Sequence, residues 1–170
     1  SLSYVHGAHE VPLIGESIGV HLASIAARFG DNDALIVRHQ NIRWTYREFD
    51  ERVTRLAAGL LGLGLEPGAR VGIWAQNCAE WVLVQFATAR AGLIMVNINP
   101  AYRRSELEYV LNKVQCSALI LAPAFKSSDY IGMVQEIAPE IHHCKPGALQ
   151  SLRLPHLRHV VRDRKSTRLN

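Results

Sequence analysis

The sequence predicts an α/β fold: a partial doubly wound parallel sheet with flanking helices and a short N-terminal hairpin. Three observations predict it. From residue 71 onward, short apolar runs alternate with helical patterns, the signature of βαβ units on a parallel sheet. The runs are almost continuously apolar, as in strands covered by helices on both faces. Ahead of them, two strand-like stretches flank a polar turn.

The elements follow in order. Residues 1–16 read as an extended lead-in punctuated by Pro12 and Gly15. Ile18, Leu22, Ile25 and Phe29 then share one helix face, with Ser17 as N-cap and Gly30 as the C′ residue. Residues 33–46 read as a hairpin turning at His39-Gln40-Asn41. Thr45 opens a second helix, and Glu48 completes a capping box. Phe49, Val53, Leu56, Ala57, Leu60 and Leu61 hold helical period until Gly64 ends it, and Glu66-Pro67-Gly68 turns the chain. Val71–Ala75 is a strand. Residues 78–91 form a helix whose centre, Trp81–Val84, is apolar nearly all round and is expected to be buried. Leu93–Val96 is a strand, and residues 104–114 are a helix with Leu107, Val110, Leu111 and Val114 inward. Ala118–Leu121 is a strand. Residues 127–138 are a helix using Tyr130, Ile131, Val134 and Ile137, and Val160-Val161 hints at a fourth strand.

Composition narrows the function classes. The chain has 170 residues, 48% hydrophobic and 20% charged, enough apolar content for one domain with a core and too much for a disordered tail. No apolar run approaches the roughly 18–20 residues of a membrane span, so no transmembrane segment is expected. Residues 1–10 lack a secretory pattern. The cysteines Cys78, Cys116 and Cys144 fit neither a zinc spacing nor a disulfide framework, so reduced thiols and a cytoplasmic setting are expected. From residue 153 onward six bases (Arg153, Arg158, Arg162, Arg164, Lys165, Arg168) face the single acid Asp163, whereas the first 152 residues hold 13 bases and 14 acids. The body is near neutral, so no nucleic-acid partner is expected. A nucleic-acid reading rests on the basic tail alone, without interleaved aromatics for stacking.

No motif carries visible chemistry. Gly62-x-Gly64-x-x-x-Gly68 follows a helix and precedes a strand, the reverse of a phosphate-binding fingerprint, and reads as helix end and turn. Asn77 lies between a strand and its helix, where it reads first as a cap and second as a ligand contact. Asn97-Ile98-Asn99-Pro100-Ala101-Tyr102 also follows a strand and reads first as a defined turn, second as substrate-facing. Glu106 and Glu108 point to different helix faces and read as solvated surface, as do Arg103 and Arg104. His142-His143-Cys144 lacks further ligands for a metal. No nucleophile elbow or Walker loop occurs. No catalytic, cofactor-binding or metal-binding residue is therefore assigned.

Three segments carry a resemblance. Arg43-Trp44-Thr45-Tyr46-Arg47-Glu48-Phe49, Leu60 through Trp74, and Asn77-Cys78-Ala79-Glu80-Trp81 are similar to the opening of the adenylate-forming (AMP-binding) ligases. Ala91-Gly92 followed by Val96 through Leu111 resembles the fatty acyl-CoA synthetase branch. Ser3–Gly7 and Pro12–Gly15 resemble its medium-chain group. The likeness runs in order over residues 3–161. It implies an enzyme that joins a fatty acid to CoA through an acyl-adenylate, using ATP, Mg2+ and CoA. The phosphate loop, ribose-binding acid, magnesium-binding acid and adenylation lysine of that family have no counterpart in residues 1–170.

The resemblance thus implies that residues 1–162 are the first part of the N-terminal domain of a longer ligase, inactive alone, with the rest of the chain missing and no cofactor bound by this piece. The start at Ser1 rather than Met fits that expectation. Residues 163–170 depart from the family, as a solvated terminus or as foreign sequence, and the second is favoured. The alternative is a stand-alone flavodoxin-like binding module without enzymatic activity.

Overall fold

The computed structural model describes Gly7 and residues 13–162. Most of the N-terminal lead-in, including Pro12, and the tail 163–170 lie outside the described residues. The elements run α1 (Ile18–Phe29), β1 (Asp33–Val37), β2 (Ile42–Thr45), α2 (Tyr46–Gly62), β3 (Arg70–Trp74), α3 (Ala79–Arg90), β4 (Ile94–Asn97), α4 (Arg104–Lys113), β5 (Cys116–Leu121), β6 (Ala124–Phe125), β7 (Ser128–Asp129), α5 (Tyr130–Ile137) and β8 (His159–Arg162). Short 3-10 turns occupy Arg38–Gln40 and Pro139–His142.

Four strands form a parallel sheet in the order β4-β3-β5-β8. The expected α/β architecture is present. The chain winds from β3 to β4 in one direction, then returns past β3 to β5 and β8, so the sheet is doubly wound. β1 and β2 form the expected antiparallel hairpin. Its turn closes through Asn41 at φ 52°, a conformation Asn tolerates better than most residues.

Side-chain alternation along the strands builds two cores. Val71, Ile73 and Ala75 join Ala118 and Ile120 beneath α1, α2 and α3. On the other face Trp74, Leu119 and Leu121 meet Leu107 and Leu111 of α4 and Tyr130, Val134 and Ile137 of α5. Gly72 lets the side chains close in there, since a Cβ on it would lie 2.9 Å from Ile98 Cδ1 and 3.2 Å from Cys116 Sγ and would make them shift. Residues 149–157 have no regular structure, yet Leu149, Leu154 and Leu157 are buried in this second core. Sequence periodicity gave them no place.

The local caps are those expected at two helices. Ser17 Oγ accepts from the Val20 N–H, and Thr45 and Glu48 form a reciprocal capping box. Gly64, at φ 77°, follows Leu63, the C-cap of α2, in the left-handed conformation that ends helices.

Four expectations need correction. Gly30 is not a left-handed C′ residue; its φ is −50°, and its lack of a Cβ leaves room for the Arg47 guanidinium, 2.7 Å from where the Cβ would stand. The buried face of α1 is Gly19, Leu22 and Ala26, whereas Ile18 is 57% and Phe29 40% exposed. Small residues turn α1 by letting its backbone approach α3: a Cβ on Gly19 would lie 3.0 Å from Arg90 Cα. Trp81, Val82 and Leu83 are half-buried and only Val84 of that run is buried, because α3 lies beside the edge strand β4. The last long helix begins at Tyr130, not residue 127, because residues 124–129 form the small β6–β7 hairpin.

One arginine ties the helical layer together. Arg90 Nη2 donates to Asp50 Oδ1 (2.5 Å) and Gly19 O (3.1 Å), while Nη1 donates to Thr54 Oγ1 (2.5 Å). A bulky side chain at position 19 forces α1 off this contact. Gly19→Val is expected to cost about 1–3 kcal/mol, as overpacking does. Urea unfolding should show a lower midpoint with an unchanged slope; an unchanged midpoint contradicts the close-approach account.

Candidate functional site

Doubly wound sheets bind ligands beyond the C-terminal ends of the strands, where the winding reverses. Here that place is the end of β3 and β5. An open groove of about 470 Å3 lies there, lined by His39, Gln76, Asn77, Pro100 and Phe125. His39 comes from the β1–β2 turn, Gln76 and Asn77 from the loop after β3, Pro100 from the loop after β4, and Phe125 from the small hairpin after β5.

The rim is fixed by two aromatic rings. Trp74 and Tyr130 are both fully buried and stack with centroids 3.6 Å apart at 13°. Trp74 Nε1–H donates to Asn99 O (3.1 Å), and Tyr130 O–H donates to Pro100 O (2.6 Å). Two consecutive carbonyls of the β4–α4 loop are therefore held by one stacked pair. Asn99 Oδ1 accepts from the Ala101 N–H at 2.9 Å, which closes the turn locally. The expected defined turn over 97–102 is present, and Pro100 also faces the groove. Burial pushes the Tyr130 phenol up to about 12.

Asn77 does not cap α3; the N-cap residue is Cys78, without a side-chain cap. The cap comes from the hairpin turn. Gln40 Oε1 accepts from the Ala79 N–H (2.7 Å), and Gln40 Nε2 donates to Glu80 Oε2 (2.6 Å). Asn77 is thereby left to line the groove beside Pro100, so the two loops read as secondary ligand candidates do come together. His39, Gln76 and Phe125 carried no such signal in the sequence.

The other singled-out residues lie elsewhere. The Glu106 carboxyl accepts from its own backbone N–H and from that of Arg103 (3.1 Å), which together hold it below the usual range. Glu108 and Arg104 are not simply solvated: Glu108 pairs with Arg153, and Arg104 with Glu136. The Arg153 guanidinium holds the Glu108 carboxyl low. Arg153 and Arg158, counted above as tail basicity, serve the fold, since Arg158 Nη1 donates to Pro155 O at 2.8 Å. Cys144 Sγ contacts Ile141 O, and among the described residues no three His, Cys, Asp or Glu side chains converge as metal ligands. Burial pushes the Cys78 and Cys116 thiols up to about 11.

Residues 22–164 match the AMP-binding enzyme family. The chain belongs to that family. It is 44% identical over 160 residues to the medium-chain acyl-CoA ligase ACSF2, mitochondrial, of Rattus norvegicus, and equally to the protein of that name from Homo sapiens. Each alignment covers 94% of this chain and 26% of the relative, so the chain spans about a quarter of the length of the curated relatives it matches. A fatty acyl CoA synthetase of Mycobacterium tuberculosis shares the fold, with a TM-score of 0.71 at 19% identity over 86% of this chain and 26% of that one. The adenylate-forming family and the α/β fold expected from the sequence thus agree with these matches.

The aromatic pair generates a prediction. Tyr130→Phe keeps the stack and removes the donor to Pro100 O. It is expected to cost about 0.5–1.5 kcal/mol, the net contribution of one hydrogen bond to a part-buried carbonyl. The folded state raises the Tyr130 pKa above the ordinary value near 10. Its share of stability is therefore full below pH 10 and lost as pH rises through about 12. Chemical denaturation at stepped pH should show that decline in the wild-type chain and a smaller one in Tyr130→Phe; identical declines contradict it.

Proposed function

We propose that this chain is the first part of the N-terminal domain of an ATP-dependent medium- to long-chain fatty acyl-CoA ligase. The whole enzyme converts a carboxylate, ATP and CoA into acyl-CoA, AMP and pyrophosphate. The observation that carries the reading is the alignment over 94% of the chain to medium-chain acyl-CoA ligases. Within such an enzyme, residues 1–162 supply a sheet, its helices and the groove at the ends of its strands. Residues 163–170 stand outside that domain.

The groups around the groove do not fit ATP–Mg2+ or CoA by themselves. Its lining contains no Lys, Arg, Asp or Glu to hold phosphate or metal. The N-terminus of α3, the usual phosphate seat in such sheets, has its Ala79 N–H engaged by Gln40 and a Glu80 carboxylate beside it. The nucleotide-binding and catalytic groups accordingly belong to the remaining three-quarters of the enzyme. The same engaged N-terminus speaks against a flavodoxin-like module that seats a phosphate there. The fatty acid, ATP and CoA are partners of the whole enzyme.

Among the described residues no helix is long and apolar enough to cross a membrane. Three unpaired thiols suit a reducing compartment. The cytoplasm is one, and the mitochondrial designation of the ACSF2 relatives names another.

The test is carboxylate-dependent ATP–pyrophosphate exchange with octanoate and the purified chain. No exchange above background is expected. Exchange by these 170 residues alone overturns the reading that the catalytic groups lie elsewhere.

A further inference from the structure

Beside the groove, a single side chain ties the β1–β2 turn to the start of α3. His39 and Gln40 are neighbours on the β1–β2 turn. Asn77 is two residues before Ala79 and three before Glu80. Gln40 bonds both Ala79 and Glu80, at 2.7 and 2.6 Å, while His39 and Asn77 line the groove beside it. These contacts join residues 39 and 40 positions apart in sequence.

We propose that Gln40 is a positioning residue: its amide bridge to Ala79 and Glu80 fixes the placement of His39 relative to Asn77 in the lining of the ligand groove. That this groove serves a ligand rests on the acyl-CoA ligase reading; the bridge itself rests on geometry. An amide is the group the position requires. Its oxygen accepts from a helix N-terminal N–H, and its nitrogen donates to a carboxylate, two opposite demands met by one planar group. Alanine meets neither. Glutamate meets the first and opposes the second, because two carboxylates then share one short contact.

That asymmetry gives a readout that a simple packing role does not move. In Gln40→Glu, the introduced carboxyl and Glu80 form an acid pair, and one member holds its proton to higher pH. The other titratable groups at this place are His39 on the turn and Cys78 beside Glu80, whose thiol burial keeps neutral below about 11.

The experiment uses the whole chain labelled with 15N and 13C, as wild type, Gln40→Ala and Gln40→Glu. Carboxyl carbons, the Asn77 side-chain amide and the His39 ring are followed by NMR from pH 3 to 8, with amide exchange at Ala79 and Val84. Gln40→Ala should speed Ala79 exchange at least tenfold and shift the Asn77 and His39 signals, with Val84 exchange unchanged. Gln40→Glu should show a carboxyl titrating at least one pH unit above the ordinary Glu value of about 4.3, with the Asn77 and His39 signals following the same transition. The proposal is overturned if both carboxyls titrate near that ordinary value, or if Asn77 and His39 do not respond in either variant. Octanoate exchange assays on a longer enzyme address the ligase reading separately, so either can fail without the other.

Discussion

The groove depends on the stack of Trp74 on Tyr130. Trp74 ends β3 and Tyr130 begins α5, so the contact joins the centre of the sheet to the first turn of a helix. A stacked pair contributes about 0.5–1.5 kcal/mol beyond the area it buries. Its greater consequence is positional. Each ring carries one donor, and the donors take the adjacent carbonyls of Asn99 and Pro100. A loop that would otherwise follow solvent is pinned to the buried sheet, and Pro100 is held at the groove edge. Neither donor is left unpaired in a dry interior, where that costs most.

The opposite bank is held by a different device. There the β1–β2 turn crosses to the start of α3, and Gln40 supplies the cap that the sequence near α3 lacks. Behind it, α1, α2 and α3 close on one another through Gly19 and Arg90. The absent side chain at Gly19 allows the approach, and the half-buried Arg90–Asp50 pair fixes it. The two banks belong to the two faces of one sheet. The strand order β4-β3-β5-β8 brings their loops together where the winding reverses.

Local signals were legible in the sequence and remote ones were not. The Thr45–Glu48 box lies within four residues, and Gly64 ends α2 by backbone geometry alone, so both were readable. The strands were readable because covered parallel strands must be apolar throughout. Ile18 and Phe29 misled because hydrophobic spacing marks an apolar stripe, whereas Gly19 and Ala26 decide which side of α1 approaches closest. The β6–β7 hairpin left no trace, since its turn uses Lys126 at φ 53° where glycine or asparagine is the usual marker. Leu149, Leu154 and Leu157 fill a core without sharing a period. For the groove, Asn77 and the 97–102 turn stood out by their place after strands. His39, Gln76 and Phe125 did not, because three separate loops meet only once the sheet is wound.

An AMP-binding family chain that spans about a quarter of its curated relatives has a scaffold without phosphate-holding groups at its groove. Under the proposed ligase function, the nucleotide chemistry lies in sequence beyond residue 162. The most direct measurement reads the source DNA through and past the Arg162 codon. The account predicts one frame continuing for several hundred residues and carrying a Gly-, Ser- and Thr-rich loop with a lysine. A genuine stop directly after the Asn170 codon, with the intervening residues encoded in the same exon or operon, would contradict it.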